Sequence, residues 1–99
     1  MRRDLPLGTL AAQLIHAAGA SLASGPVALP PETRAIALMV DDEAELALLA
    51  ERLELAAVPH VAIREPDLPW SGALMAIGIP PLADPRAARR VLARLPLLR

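Results

Sequence analysis

Near the start of the chain, apolar and polar positions alternate at helical spacing. The stretch from Thr9 to Ala23 contains no proline and is rich in alanine and leucine, which predicts a helix opening at Thr9. At about 100° per residue, Thr9, Gln13, His16 and Ala20 fall on one side, and Leu10, Leu14 and Ala18 on another. A histidine and an amide beside small residues make a hydrogen-bonding ledge with little bulk over it.

The pattern then changes period. Ser24-Gly25-Pro26 and Pro30-Pro31 punctuate a loop, and Arg34 to Val40 follows as a run apolar on both faces, the signature of a strand covered on both sides. Asp42 with Glu45 three residues later forms a capping-box-like start. It opens a helix to about Ala57, with Leu46, Leu49 and Leu53 as its packing stripe and Pro59 beyond its end. His60 to Arg64 predicts a short strand, Glu65 to Pro69 a turn, and Ala73 to Ile79 a further strand in which Gly78 permits close backbone approach. Asp84 as cap and Pro85 at the first helical position introduce a last helix, Arg86 to Leu95. Val91, Leu92 and Leu95 supply its buried side. Arg86, Arg90 and Arg94 form a row that is either a solvated face or a local phosphate contact. The order helix, strand, helix, strand, strand, helix implies an α/β fold, a three-layer sandwich with a small mixed sheet and helices on both faces. A single domain over 1–99 is expected.

Composition narrows the chemistry. The chain has 99 residues, 55% of them hydrophobic, which suits one folded domain of modest core and excludes general disorder. Trp70 is the sole aromatic residue, so aliphatic side chains must pack the core, with Trp70 as an anchor. There is no cysteine, hence no thiolate nucleophile, disulfide or zinc–thiolate site. Net charge is −1 and every basic residue is arginine, so a polyanion must be met locally rather than through a global field. No apolar run reaches the roughly 18 residues of a membrane span, and no signal-peptide pattern opens the chain, so a cytoplasmic location without membrane contact is expected. Glycine-rich phosphate loops, G-x-S-x-G elbows and histidine pairs at metal spacing do not occur. No metal is expected.

Two elements of the opening segment, Arg2-Arg3-Asp4-Leu5 and Ala11-Ala12-Gln13-Leu14-Ile15-His16-Ala17, follow an R-x-D-L and A-A-Q-x-x-H-A order. Two strand motifs follow at matching distances. Pro59 to Glu65 is similar to G-L-P-x-x-x-I-x-D, and Gly72 to Pro80 to G-S-x-T-V-L-A-I-G-P. The chain thereby resembles the peptidyl-tRNA hydrolases of the archaeal and eukaryotic type over nearly its whole length. The resemblance implies hydrolysis of the ester between a peptide and the terminal ribose of tRNA, with peptidyl-tRNA as partner and no cofactor.

Residue by residue, the resemblance places His16 on the family histidine and Gln13 on its neighbouring amide. Glu65 fits the family acid by distance from the preceding strand, and Asp67 by distance from Gly72. Both stay open. Pro6 to Leu10 stands where the family carries a lysine and contains none. The family also has a strand immediately before R-x-D-L; lacking it would leave unpaired backbone and apolar surface, which favours a homodimer.

Ester hydrolysis needs an activated water, stabilisation of an oxyanion and a grip on the substrate. Imidazole, with an ordinary pKa of about 6.5, makes His16 the proton-transfer residue. Gln13 orients the water or donates to the oxyanion, Glu65 or Asp67 holds the imidazole tautomer, and Arg2, Arg3 and Thr9 meet acceptor-end phosphates. Asp4 either joins the site or bonds loop amides near the first helix. His60, following Pro59, is expected to be structural or exposed. The second function class is a non-catalytic relative that binds tRNA ends or a protein partner.

Overall fold

Three helices and a two-stranded antiparallel sheet form the α/β architecture of the computed structural model, which describes residues 1–24, 31 and 34–99. In chain order they are α1 (Leu7–Ser24), α2 (Glu43–Leu55), β1 (Val61–Glu65), β2 (Ala73–Gly78) and α3 (Arg86–Leu92). Most of the loop expected around Gly25, Pro26 and Pro30 lies outside the described residues. No helix among the described residues is long and apolar enough to cross a membrane.

Helix α1 begins at Leu7, before the expected Thr9, because Pro6 already accepts the first helical bond: the Leu10 N–H donates to its carbonyl at 2.8 Å. Its buried line is Gln13, Ala17 and Ser21, at i, i+4 and i+8. The expected polar side is therefore divided, with Gln13 buried and His16 exposed. The small side chains of Ala17 and Ser21 let the sheet come close. A Cβ built on Gly78 would lie 2.3 Å from the Ala17 carbonyl oxygen, so β2 meets α1 backbone to backbone, as the glycine predicts.

The stretch 34–40 does not form the expected strand. Val40 makes an isolated parallel bridge to Arg2 and Leu38 an antiparallel one to Leu97. Apolar content on both faces suggested complete cover, yet Ile36 is 72% exposed. Pairing covers only Ala37 to Val40: Met39 N–H donates to the Pro96 carbonyl, the Ala37 carbonyl accepts from Leu98 N–H, and Val40 N–H donates to the Met1 carbonyl. Pro96 has no N–H to return a bond to this segment.

Asp42 caps α2, accepting the Glu45 N–H at 2.9 Å, while the Glu45 carboxylate accepts from the Asp41 N–H at 2.8 Å. The return half of the box thus reaches one residue before the cap. The helix stops at Leu55, ahead of Pro59, in a Schellman turn: Ala57 N–H donates to the Glu54 carbonyl, and Val58 N–H to that of Leu53. Ala57 takes the left-handed position, φ 54°.

Strand β1 starts one residue later than expected and takes in Glu65. Its register on β2 pairs Ile63 with Ala76 and Arg64 with Leu74, leaving Met75 as an inserted bulge residue. That insertion explains why the adjacent Met75 and Ala76 join the same apolar cluster. The Leu74 N–H and carbonyl are bonded by side chains, the Glu43 carboxylate at 3.1 Å and the Arg2 guanidinium at 3.1 Å.

Helix α3 ends at Leu92 rather than Leu95, and its cap is Pro85 rather than Asp84, although Asp84 still accepts the Arg86 N–H at 3.1 Å. Arg86 and Arg90 on the helix, and Arg94 just beyond it, stand exposed. Two apolar clusters share β2. One joins Leu46, Leu49 and Leu53 of α2 with Val40, Val58, Leu74 and Ala88; the other joins Met1, Leu5, Ala17, Met75 and Ala76, with Leu14, Ile63 and Trp70 packed against it. Each fully buried leucine contributes about 2 kcal/mol of transfer free energy.

Candidate active site

Gln13 is 3% exposed and held by α1 against the sheet, where its Nε2 donates to the Glu65 Oε2 at 3.1 Å. Glu65 is the last residue of β1 and is fixed from two further directions. Its Oε1 accepts the Asp67 N–H at 3.2 Å, and its carbonyl accepts the Gly72 N–H at 2.7 Å. The helix and the strand end are thereby joined through one amide–carboxylate contact.

The remaining amide atom, Gln13 Oε1, is buried without a hydrogen-bond partner. Reversing the amide would set two acceptors face to face, so the carboxylate fixes which atom stays free. An unpaired buried acceptor costs about 1–3 kcal/mol. This geometry also revises the expected oxyanion role: Nε2 is turned to Glu65, and the free atom accepts rather than donates.

Of the two acids left open by the sequence, Glu65 touches Gln13. Asp67 is exposed and shapes the turn, its carbonyl accepting the N–H groups of Trp70 and Ser71 at 2.9 and 3.0 Å. His16 lies three residues beyond Gln13 on α1, exposed, its imidazole making no hydrogen bond to another described residue. At that spacing Cβ atoms stand about 5–6 Å apart.

Arg2 departs most from expectation. Instead of facing phosphates, it is buried: Nε and Nη2 clasp the two oxygens of Asp4 at 2.8 Å each, and Nη1 donates to the Leu74 carbonyl. Glu43 lies 3.6 Å from the same guanidinium, which sits 5.9 Å from the centre of the Trp70 ring. A planar fork is suited to this bidentate contact, and burial favours its use within the fold. The hydrogen bonds from Arg2 hold the Asp4 carboxyl below the ordinary carboxylate range against an opposing effect of desolvation, and Asp4 in turn raises Arg2. Both Asp4 oxygens are thereby engaged by Arg2.

Arg3 is exposed and ion-paired with Asp41, and Thr9 is half-buried. His60 is structural, its Nδ1 lying 2.8 Å from the Val58 carbonyl. Glu43, in the first turn of α2 and not among the expected site residues, ties Leu74 and Arg2 together. Its position just inside a capped helix start was the available signal. A groove of about 660 Å³ between Leu14, Ala17, Ser21, Leu38 and Ala76 holds none of the expected catalytic residues. Among the described residues no three histidine or acidic side chains converge on a metal position. Compared with protein-family models, curated proteins and solved structures, the chain matches none.

Proposed function

We propose that the chain is a peptidyl-tRNA hydrolase of the archaeal and eukaryotic type, a single-domain three-layer sandwich working in the cytoplasm as a homodimer without a cofactor. The observation that carries this reading is the 3.1 Å bond joining Gln13, in the A-A-Q-x-x-H-A segment, to Glu65 at the end of β1. It brings together two residues, 52 positions apart, that the resemblance assigns to one site.

In the proposed reaction Glu65 takes a proton from water as the oxygen attacks the acyl carbon, and Gln13 positions the carboxylate. Collapse of the tetrahedral intermediate breaks the bond to the ribose oxygen, which receives a proton from His16. Each transfer is general acid–base chemistry of the kind that contributes about 10²–10⁴ in rate. Arg3 and Thr9 serve the acceptor end, together with the exposed arginines of α3. Arg2 and Asp4 serve instead by fixing the segment that leads into α1.

Release of N-acetyl amino acid from charged tRNA tests the reading. Glu65→Gln and His16→Ala are each expected to lower the rate at least about 100-fold with the fold intact by circular dichroism. Wild-type release no faster than the spontaneous reaction overturns it. The absence of lysine from Pro6 to Leu10 favours, in that event, a non-catalytic relative binding tRNA ends or a protein partner.

A further inference from the structure

We propose that the outward face of α1 is the surface on which two copies of the chain meet, helix against helix and antiparallel, with Ile15 on the two-fold axis. Opposite the buried line of Gln13, Ala17 and Ser21, the helix presents Leu7, Ile15 and Leu22, which are 81%, 71% and 41% exposed. Gly8, Ala11, Ala12, Ala18, Gly19 and Ala23 stand exposed between and beside them. At about 100° per residue, Gly8, Ala11, Ala18 and Leu22 fall within about 60° of Ile15, on steps of three and four residues that make a continuous seam. Large apolar side chains gathered on one solvent face mark a contact surface.

The order of side-chain sizes identifies the occupant as a second copy. An antiparallel copy centred on Ile15 sets Leu22 opposite Gly8, Leu7 opposite Ala23 and Ala11 opposite Gly19, so each leucine meets a small residue and Ile15 meets itself. A parallel copy would set leucine on leucine and glycine on glycine, with collisions and gaps in turn. Among the described residues nothing lies within 4 Å of a Cβ built on Gly8 or Gly19, which leaves room for the facing side chains. No charged residue occurs from Leu5 to Pro31, so the contact strands no ion and brings no like charges together. With Ile36, on the same groove as Leu22, the face offers on the order of 500 Å² per partner, the minimum of a specific interface. His16 and Gln13 lie about 100° and 160° round the helix from Ile15, outside the seam. The surface rests on the proposed dimer and not on the hydrolase chemistry.

The cysteine-free chain allows the arrangement to be read by cross-linking. Ile15→Cys is expected to form a disulfide-linked dimer under mild oxidation, because copies of a residue on the axis bring their Cα atoms within the limit of about 7 Å for that bond. Gly8→Cys lies about 21 Å from its own copy along antiparallel helices; it is expected not to link to itself but to link when mixed with Leu22→Cys. Ile15→Glu, at an exposed position, is expected to weaken association at least about 100-fold and to give the single-chain mass by light scattering at about 100 µM. Leu55→Glu, on the exposed end of α2, is expected to leave the dimer intact. Self-linking of Gly8→Cys, no linking of Ile15→Cys, a dimer that survives Ile15→Glu, or one weakened equally by Leu55→Glu overturns this surface while the wild type remains a dimer. A monomeric wild type overturns the surface and the dimer together. Release of N-acetyl amino acid, measured separately, bears on the hydrolase reading alone.

Discussion

Arg2 shows how much one side chain can hold when its fork is turned inward. It ties its own segment to β2 and, through Glu43, to the start of α2. Asp4→Asn leaves this buried cation with Glu43 at 3.6 Å as its nearest remaining charge and is expected to cost about 2 kcal/mol, read from urea unfolding. That figure is set below the cost of breaking a fully buried pair because the Asp4 carboxylate is 39% exposed and partly screened. The pH dependence follows from its depressed pKa: the contribution is complete above the ordinary carboxylate value of about 3.9 and is lost as pH falls through the lower folded value. Below about pH 4 the wild type should therefore approach Asp4→Asn in stability. Arg2 and Asp4 both stood out in the sequence, but as substrate contacts. Their pairing was legible in principle, since an arginine fork and a carboxylate two residues apart are opposite charges within reach of each other. What the sequence hid was burial, because nothing in R-x-D-L says which way the guanidinium points.

Among the elements, the strand and helix cores were legible and their ends were not. β2 and Gly78 fell where alternation and close approach required them, whereas α1, α2 and α3 each changed length at a terminus. The early stop of α2 has a cause that no proline or glycine signals: Ala57 occupies the left-handed position that glycine takes more readily. Ala57→Gly should raise stability by about 1 kcal/mol in thermal unfolding. Gly78 predicts the reverse. Gly78→Ala drives a methyl into the Ala17 carbonyl and should cost about 2–3 kcal/mol, whereas Gly19→Ala, in open space on α1, should gain about 0.5–1 kcal/mol. Similar losses or gains at the two glycines would show that the contact between α1 and β2 is not the constraint it is taken to be. The candidate site had the same partial legibility. Gln13 is legible as a site candidate and Glu65 only as one of two acids with Asp67; helical spacing alone groups Gln13 with His16, and the packing of Ala17 and Ser21 against the sheet separates them.

For the whole molecule, the α/β class is readable from the alternation of periods, but at 34–40 an apolar run does not bring cover on both faces. Hydrophobic residues can pattern like a central strand while their described neighbours reach only one end. Ile36 and Leu22 are both substantially exposed, and they give the proposed self-association its physical basis. Light scattering is expected to give about twice the 10.4 kDa chain mass at about 100 µM, and a mass that stays at the single-chain value there rejects the dimer. The side-chain bonds on Leu74 bear on a different property, resistance to misassembly. A foreign strand approaching β2 at that residue finds its N–H taken by Glu43 and its carbonyl by Arg2. With those bonds already made, this stretch of the sheet offers no template for edge-to-edge growth, and two charged residues far apart in sequence act together as a gatekeeper against aggregation.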